Sequence, residues 1–392
     1  MTDPTLRPTP TPAHDKTLRQ LDTPCLVLDA ERMERNIARL RDRLAPLGVS
    51  LRPHLKTSKS TDVARRVMSS ADGPATVSTL KEAAYFAAAG VRDMIYAVGI
   101  TPAKLAQVLQ LRSEGVDLAV LLDTVEQADA VAAASRAAGT AIPALIEIDC
   151  DGHRSGVLPS DAEGLVKIGR ALVQGGELRG VLTHAGASYA ARGPQALEKC
   201  AEAERRAVVD AADTLRAAGL PCPVVSLGST PTAHSARNLE GVTEVRAGVF
   251  VFFDLVMAGI GVCQVDDVAL SVMATVIGHQ HEKGWILIDA GWMAMSQDKG
   301  TSKQAVNQGY GIVCDVRGVP YPDLIVGDAN QEHGIISVRP GSGAALPDLA
   351  IGDRVRILPN HACATAAQHH GYHVVRGASE VVEAEWPRFG GW

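Results

Sequence analysis

VSLRPHLK, residues 49–56, is the stretch that decides the fold of this 392-residue chain. It begins with the β-branched and apolar residues of a short strand and ends in Arg52-Pro53-His54-Leu55-Lys56. A doubly wound open sheet carries a glycine-rich turn after its first strand, and no glycine follows this one. The run therefore favours the first strand of a (β/α)8 barrel, with the open sheet as the competing fold.

Strand-like runs and helical patterns alternate from about residue 30 to residue 265, which is the usual length of a (β/α)8 TIM barrel. Between the runs, apolar residues at helical spacing predict helices, for example over 102–114, 125–138 and 196–218. The eight predicted strands are 49–56, 75–79, 93–98, 117–122, 142–149, 178–184, 224–228 and 244–250.

The pattern changes after about residue 261, where strand-like runs continue without helical partners. These runs are 268–277, 285–289, 334–338, 354–358 and 373–375. We predict that residues 266–392 form a mostly antiparallel β domain, which the early strand at 21–29 joins. Residues 1–20 are rich in proline and threonine and predict a disordered tail, which leaves 30–265 for the barrel.

Composition excludes several classes of protein. The net charge is −6 and no dense basic stripe is present, which argues against a nucleic-acid partner. No apolar run approaches the roughly 18 residues that span a bilayer, and the N-terminus lacks the apolar core of a signal peptide. Seven dispersed cysteines predict reduced thiols and a cytoplasmic protein.

Lys56 is the first candidate for chemistry, because it ends the first predicted strand. Barrel active sites lie where the strands end, and a partly desolvated lysine amine there can form an imine. A surface lysine in the following loop is the alternative. Lys59 is a weaker candidate, predicted in the first turn of the next helix.

Two glycine-containing turns follow the seventh and eighth predicted strands. SLGST at 226–230 sets a glycine between hydroxyl residues, and RAGV occupies 246–249. Barrels often bind phosphate with these two loops, through backbone N–H groups and hydroxyls. The sequence therefore predicts a phosphate site here, with two ordinary tight turns as the alternative.

A third candidate is PNHAC at 359–363 in the β domain. In an extended segment, His361 and Cys363 would point the same way and could bind one metal ion. Imidazole with thiolate favours zinc, and two ligands with open positions suit a catalytic ion. A buried cysteine beside a loop histidine is the alternative.

Together with DTP at 22–24, these motifs resemble those of the fold-type III pyridoxal-phosphate enzymes. Within them the chain resembles the group that holds D-serine dehydratase, D-threonine aldolase and the 3-hydroxyaspartate lyases. Three further motifs are most similar to those of the 3-hydroxyaspartate dehydratases: DGHRSGV at 151–157, LTHAG at 182–186 and NQEHG at 330–334.

The resemblance implies an alanine-racemase-like barrel with a C-terminal β domain, in a homodimer. It implies that Lys56 binds pyridoxal 5'-phosphate as a Schiff base and that His361 and Cys363 bind a divalent metal. Zinc is the expected ion, with manganese, cobalt or magnesium as alternatives. The other positions expected around the cofactor are Arg154, His184, Tyr189, Gly228, Ser229, Thr230, Gly248 and Val249.

The implied activity is a lyase that eliminates water from a D-configured β-hydroxy amino acid. Its substrate would be 3-hydroxyaspartate or D-serine, and its products a 2-oxo acid and ammonia. Aldolases of the group carry aspartate two residues after the metal-binding histidine, whereas this chain carries Cys363, as the dehydratases do. The alternatives are retro-aldol cleavage to glycine and an aldehyde, and a non-catalytic pyridoxal-phosphate carrier.

Overall fold

The computed structural model describes residues 16–392, which form two compact units. We call the first the β unit; it holds residues 16–36, Val251–Gly259 and Cys263–Gly390. The second, the barrel unit, holds Ile37–Phe250, Ile260–Val262 and Gly391–Trp392. The first strand of the chain, β1 (Cys25–Asp29), belongs to the β unit.

Eight parallel strands form the barrel, which confirms the predicted fold class. Each strand pairs in parallel with its neighbour in the order β2-β9-β8-β7-β6-β5-β4-β3. The Leu55 N–H donates to the Thr76 carbonyl at 2.9 Å, beside an isolated bridge between His54 and Thr76, and so closes the circle from β2 to β3. The strands are β2 (Ser50–Pro53), β3 (Ala75–Val77), β4 (Asp93–Gly99), β5 (Asp117–Leu122), β6 (Pro143–Ile148), β7 (Glu177–Thr183), β8 (Val224–Leu227) and β9 (Glu244–Ala247).

Several helices begin where a capping side chain accepts a hydrogen bond from a free N–H group of the first turn. The Thr79 and Thr124 hydroxyls accept from the third residue of α3 and α5, as N-caps do. No helix within residues 16–392 is long and apolar enough to cross a membrane. The helices are α1 (Ala30–Leu44), α2 (Thr61–Val67), α3 (Leu80–Ala88), α4 (Leu105–Ser113), α5 (Val125–Ala138), α6 (Ala162–Leu172), α7 (Pro194–Ala217), α8 (Thr230–Ser235), α9 (Leu255–Gly259), α10 (Trp292–Met295) and α11 (Ala362–Ala366).

The β unit is built on one nine-stranded sheet in the order β11-β14-β13-β12-β15-β10-β1-β16-β17. Strand β1 pairs antiparallel with β10 and parallel with β16, and the other pairings are antiparallel. The remaining strands are β10 (Leu270–Gln280), β11 (Trp285–Ile288), β12 (Gly311–Cys314), β13 (Pro320–Ala329), β14 (Gly334–Val338), β15 (Arg354–Pro359), β16 (Gly371–Val375) and β17 (Ala384–Pro387).

Three strands of this sheet, β12, β13 and β17, were not predicted from the sequence. Strands β12 and β17 have four residues each, the shortest length at which an alternating pattern can be recognised. Strand β13 contains two prolines and exposed acidic residues, and its register shifts between Val326 and Asp328. Pairing with neighbours distant in sequence, and not local pattern, makes these segments strands.

The disordered tail predicted for residues 1–20 lies partly outside the described residues, which begin at Lys16. From there the prediction is wrong. The Leu18 N–H donates to the Glu380 carbonyl at 2.8 Å, and the Leu18 side chain is fully buried beside Val382. Burial of an apolar side chain offsets the entropy lost by ordering this segment.

Candidate active site

Lys56 lies in a turn just beyond the C-terminal end of β2. The predicted strand, 49–56, extends three residues beyond the C-terminal end of β2 at Pro53. Proline has no N–H to donate to a neighbouring strand. Residues 55–58 form a turn in which the Lys59 N–H donates to the Leu55 carbonyl at 2.9 Å. Lys56 is exposed there. It therefore lies where a barrel presents catalytic groups.

Lys59 is placed differently from Lys56 and from the prediction. It precedes α2 in a left-handed conformation, with φ of 44°. Its side chain is only 10% exposed, and its Nζ lies 3.4 Å from a carboxylate oxygen of buried Glu82. An amine already held by a buried carboxylate is a poor candidate for covalent chemistry, which leaves Lys56.

The loop after β8 is shaped by Gly228. Its φ is +138°, and a Cβ there would lie 2.1 Å from the Arg246 carbonyl oxygen, so only glycine fits. Its N–H donates to Glu204 at 3.1 Å, and the Ser229 N–H donates to the Thr232 hydroxyl at 3.0 Å. Both N–H groups are thus engaged within the protein, so neither is left to donate to a phosphate.

A group that could bind a phosphate follows Ser229, at Thr230. The Thr230 hydroxyl is buried without a hydrogen-bond partner among the described residues, as a donor awaiting a ligand would be. Gly248 and Val249 follow β9, and a Cβ on Gly248 would come within 3.1 Å of the Thr57 hydroxyl. The glycine thus brings the end of β9 against the Lys56 turn. Thr230 follows β8, and Gly248 and Val249 follow the neighbouring strand β9, so all three lie at the same end of the barrel.

His184 follows β7 and is neutral. Its Nδ1 lies 2.9 Å from the Gly228 carbonyl, which can only accept, so Nδ1 carries the proton. Burial lowers the pKa of His184 to about 3, and the positive charges of Arg154 and Arg246 act in the same direction. The Tyr189 ring lies 6.2 Å away, centroid to centroid. A neutral ring with this neighbour suits packing against an aromatic cofactor.

The charges of Arg154 and Lys56 both lower the pKa of His54 in the barrel unit. Burial lowers the pKa of His54 well below its usual value, and the charges of Lys56, Arg246, His184 and Arg154 contribute. Arg154 is 49% exposed and its Nη2 lies 3.5 Å from the Glu147 carboxylate. The predicted cofactor residues thus cluster around the strand ends of the barrel.

Two buried charged residues of this region had no role in the sequence analysis. Arg246 donates to the Ser226 hydroxyl at 2.8 Å and to the Thr183 carbonyl at 2.7 Å. Burial lowers its pKa to about 10. Glu204 lies under the loops after β7 and β8, on the buried face of α7. An acidic residue within the apolar face of a helix was the available signal for Glu204.

The predicted metal pair lies in the β unit at the start of α11. His361 is the N-cap of this helix and Cys363 its second residue, so the expected extended segment is wrong. The two side chains interact nonetheless. Burial lowers the pKa of His361, but hydrogen bonds with Asp298 and Cys363 outweigh it and raise the pKa to about 11. A metal ion would have to displace this proton.

Asp298 and Asp254 support the pair and were missed from sequence. The Asp298 carboxylate lies 2.6 Å from His361 Nδ1, which fixes the ring and leaves Nε2 for a metal. The buried Asp254 carboxylate accepts from the Ala362 N–H at 3.0 Å. Within residues 16–392, no third histidine, cysteine, aspartate or glutamate completes a metal-binding cluster. Such a site would leave positions open for water or substrate, as catalytic sites do.

We predict that Asp298→Asn weakens metal binding by about 10- to 100-fold, the usual loss when an outer-shell carboxylate is removed. The metal dissociation constant, measured by competition with a chelator, tests this. Asp328→Asn, an exposed change in β13, is the matched control and should bind metal normally. Equal affinity of the two variants would contradict the role of Asp298.

We also predict that Gly228→Ala lowers the free energy of unfolding by about 2 kcal/mol or more, because the new Cβ meets backbone. Gly219→Ala is the control, since Gly219 also has positive φ, +75°, but open space around it. Thermal unfolding compares the two variants. A loss no greater at Gly228 than at Gly219 would show that the loop can yield.

Comparisons with known proteins find matching family models, relatives and solved structures. The family model for the alanine racemase N-terminal domain matches residues 28–256, and that for the serine dehydratase domain matches residues 269–375. The chain is 55% identical over 381 residues to D-threo-3-hydroxyaspartate dehydratase of Delftia sp. (strain HT23), covering 96% of this chain and 99% of the relative. It is 30% identical to a D-threonine aldolase of Arthrobacter sp., covering 94% and 92%.

Solved structures of the Delftia dehydratase superpose closely. One has a TM-score of 0.92 at 54% identity and covers 96% of this chain and 100% of that chain. Two others are alanine variants of a histidine and of a cysteine two positions further on, and the cysteine variant is described as the metal-free form.

Proposed function

This chain belongs to the alanine-racemase-fold enzymes that carry a serine dehydratase domain, and we propose that it dehydrates D-threo-3-hydroxyaspartate. It is a pyridoxal-phosphate-dependent lyase. The net reaction would convert the hydroxy amino acid to oxaloacetate and ammonia. The 55% identity to a dehydratase of this substrate, over 96% of the chain, carries the proposal.

The cofactor, when bound, draws electrons away from the Cα of the substrate. Lys56 would hold it covalently, and the Lys56 amine, once free, would take the Cα proton. The neutral His184 ring would pack on its ring system. The Thr230 hydroxyl, with the backbone at Gly248 and Val249, would bind its phosphate, while Gly228 and Ser229 shape the loop. Tyr189 and Arg154 would complete the surroundings.

His361 and Cys363 would hold a divalent ion, and that ion would supply Lewis-acid stabilisation for the departing hydroxyl. The variants of the solved dehydratase support this assignment, since their histidine and cysteine have the same two-residue spacing. A thiolate ligand favours zinc over manganese, cobalt or magnesium. Asp298 would orient His361 toward the ion.

D-serine dehydration and retro-aldol cleavage are the alternatives. The 30% identity to a D-threonine aldolase is the observation that supports retro-aldol cleavage. The experiment is to incubate the enzyme with D-serine, D-threonine and the 3-hydroxyaspartate isomers and to identify the products. Oxaloacetate and ammonia, formed fastest from the D-threo isomer, are expected. Glycine and an aldehyde as the main products would make the chain an aldolase.

We propose that the protein forms a homodimer in the cytoplasm. All seven cysteines lie among the described residues and none forms a disulfide, which suits a reducing compartment. The dimer rests on the family resemblance, and the mass of the protein in solution tests it.

A further inference from the structure

Helix α7 buries a carboxyl group beneath two loops of the barrel. Glu204 has only 1% of its surface exposed. Its Oε1 accepts hydrogen bonds from the Ala185 N–H at 2.8 Å and from the Gly228 N–H at 3.1 Å. Ala185 follows β7 and Gly228 follows β8, and these strands are neighbours in the barrel. One oxygen atom therefore joins two loops at the ends of adjacent strands.

The same loops are joined a second time through His184, whose Nδ1 donates to the Gly228 carbonyl at 2.9 Å. Gly228 is thus held at both its N–H and its carbonyl. Because α8 begins two residues later, the orientation of Gly228 decides where the Thr230 hydroxyl lies. That hydroxyl is buried without a partner among the described residues.

We propose that Glu204 is a positioning residue that sets the affinity for the cofactor phosphate by holding Gly228, and with it Thr230, in the binding geometry. The inference rests on the proposed function, since it takes pyridoxal phosphate as the ligand. Glu204 does not itself bind the phosphate, because two anionic groups repel each other. Without this acceptor, two buried N–H groups would lose their partner, and the loop would rearrange to satisfy them.

The role of Glu204 as an acceptor does not need its charge. Burial raises the pKa of Glu204 to about 7, although a hydrogen bond with the Thr232 hydroxyl, the two N–H donors and the charge of Arg246 favour its charged form. A protonated carboxyl keeps one carbonyl oxygen that can accept both hydrogen bonds. A glutamine amide offers the same oxygen, whereas a methionine of similar size offers none.

The test titrates the full chain, freed of cofactor, with pyridoxal phosphate and separately with pyridoxal, which lacks the phosphate. Glu204→Met should raise the dissociation constant of pyridoxal phosphate about tenfold or more and that of pyridoxal less than about threefold. Glu204→Gln should keep the wild-type preference between the two ligands. Glu202→Met, the same change at a salt-bridged surface position of α7, is the matched control and should alter neither constant.

A general loss of stability would weaken the binding of both ligands alike. Equal weakening of both ligands, or unchanged affinity for pyridoxal phosphate, would overturn the inference. If Glu204→Met does not fold, Glu204→Asp takes its place with the same expectation, because its shorter side chain cannot reach both N–H groups. A wild-type chain without affinity for pyridoxal phosphate would overturn the proposed function as well. Wild-type binding with unchanged preference in the variant would overturn this inference alone.

Discussion

Replacing Lys56 by alanine is expected to remove the near-visible absorption of the bound cofactor and to lower kcat at least about a thousandfold. Lys56 would supply both the covalent attachment and the base for the Cα proton, so one substitution removes two contributions. The absorption spectrum after gel filtration and the rate of 2-oxo acid formation measure them separately.

Lys56→Arg is the matched control, because it keeps the positive charge but can neither form an imine nor accept a proton near neutral pH. It should be as inactive as Lys56→Ala, although it should preserve the charge felt by His54 and His184. Retained absorption or activity in either variant would mean that another group, not Lys56, carries the cofactor.

Removal of the metal is expected to lower the rate of elimination at least about a hundredfold while leaving the near-visible absorption unchanged. Hydroxide is a poor leaving group, and without a Lewis acid its departure loses several kcal/mol of stabilisation. His361→Ala and Cys363→Ala should have the same effect as a chelator, and added zinc should restore the wild-type enzyme but not the variants.

Two measurements distinguish this catalytic ion from a structural one. Chelation should leave the thermal unfolding temperature nearly unchanged, because two protein ligands do not close a structural site. Cys363→Asp should favour harder ions such as manganese and shift the products toward glycine. Full dehydratase activity in metal-free protein would rule out the proposed role of His361 and Cys363.

The sequence was sufficient for the barrel because the signal for each strand is local. Buried parallel strands are short apolar runs, and all eight were located, with the largest errors at their C-terminal ends. At β2, the strand itself ends at Pro53, and Lys56 lies in the turn formed by residues 55–58. In the β unit, β12, β13 and β17 were missed because only their pairing partners make them strands.

For the candidate site, the sequence by itself determined the groups with recognisable motifs: Lys56, the two glycine turns, and the His361–Cys363 pair. Tertiary structure alone decided which donors those turns leave for a ligand. The Gly228 N–H is taken by Glu204, and His361 is oriented by Asp298, 63 residues away in the chain. Such supporting residues carry no motif, because a carboxylate acquires its role only from the N–H or imidazole that folding brings against it. Their chemistry is set by distance and burial, which a linear pattern does not encode.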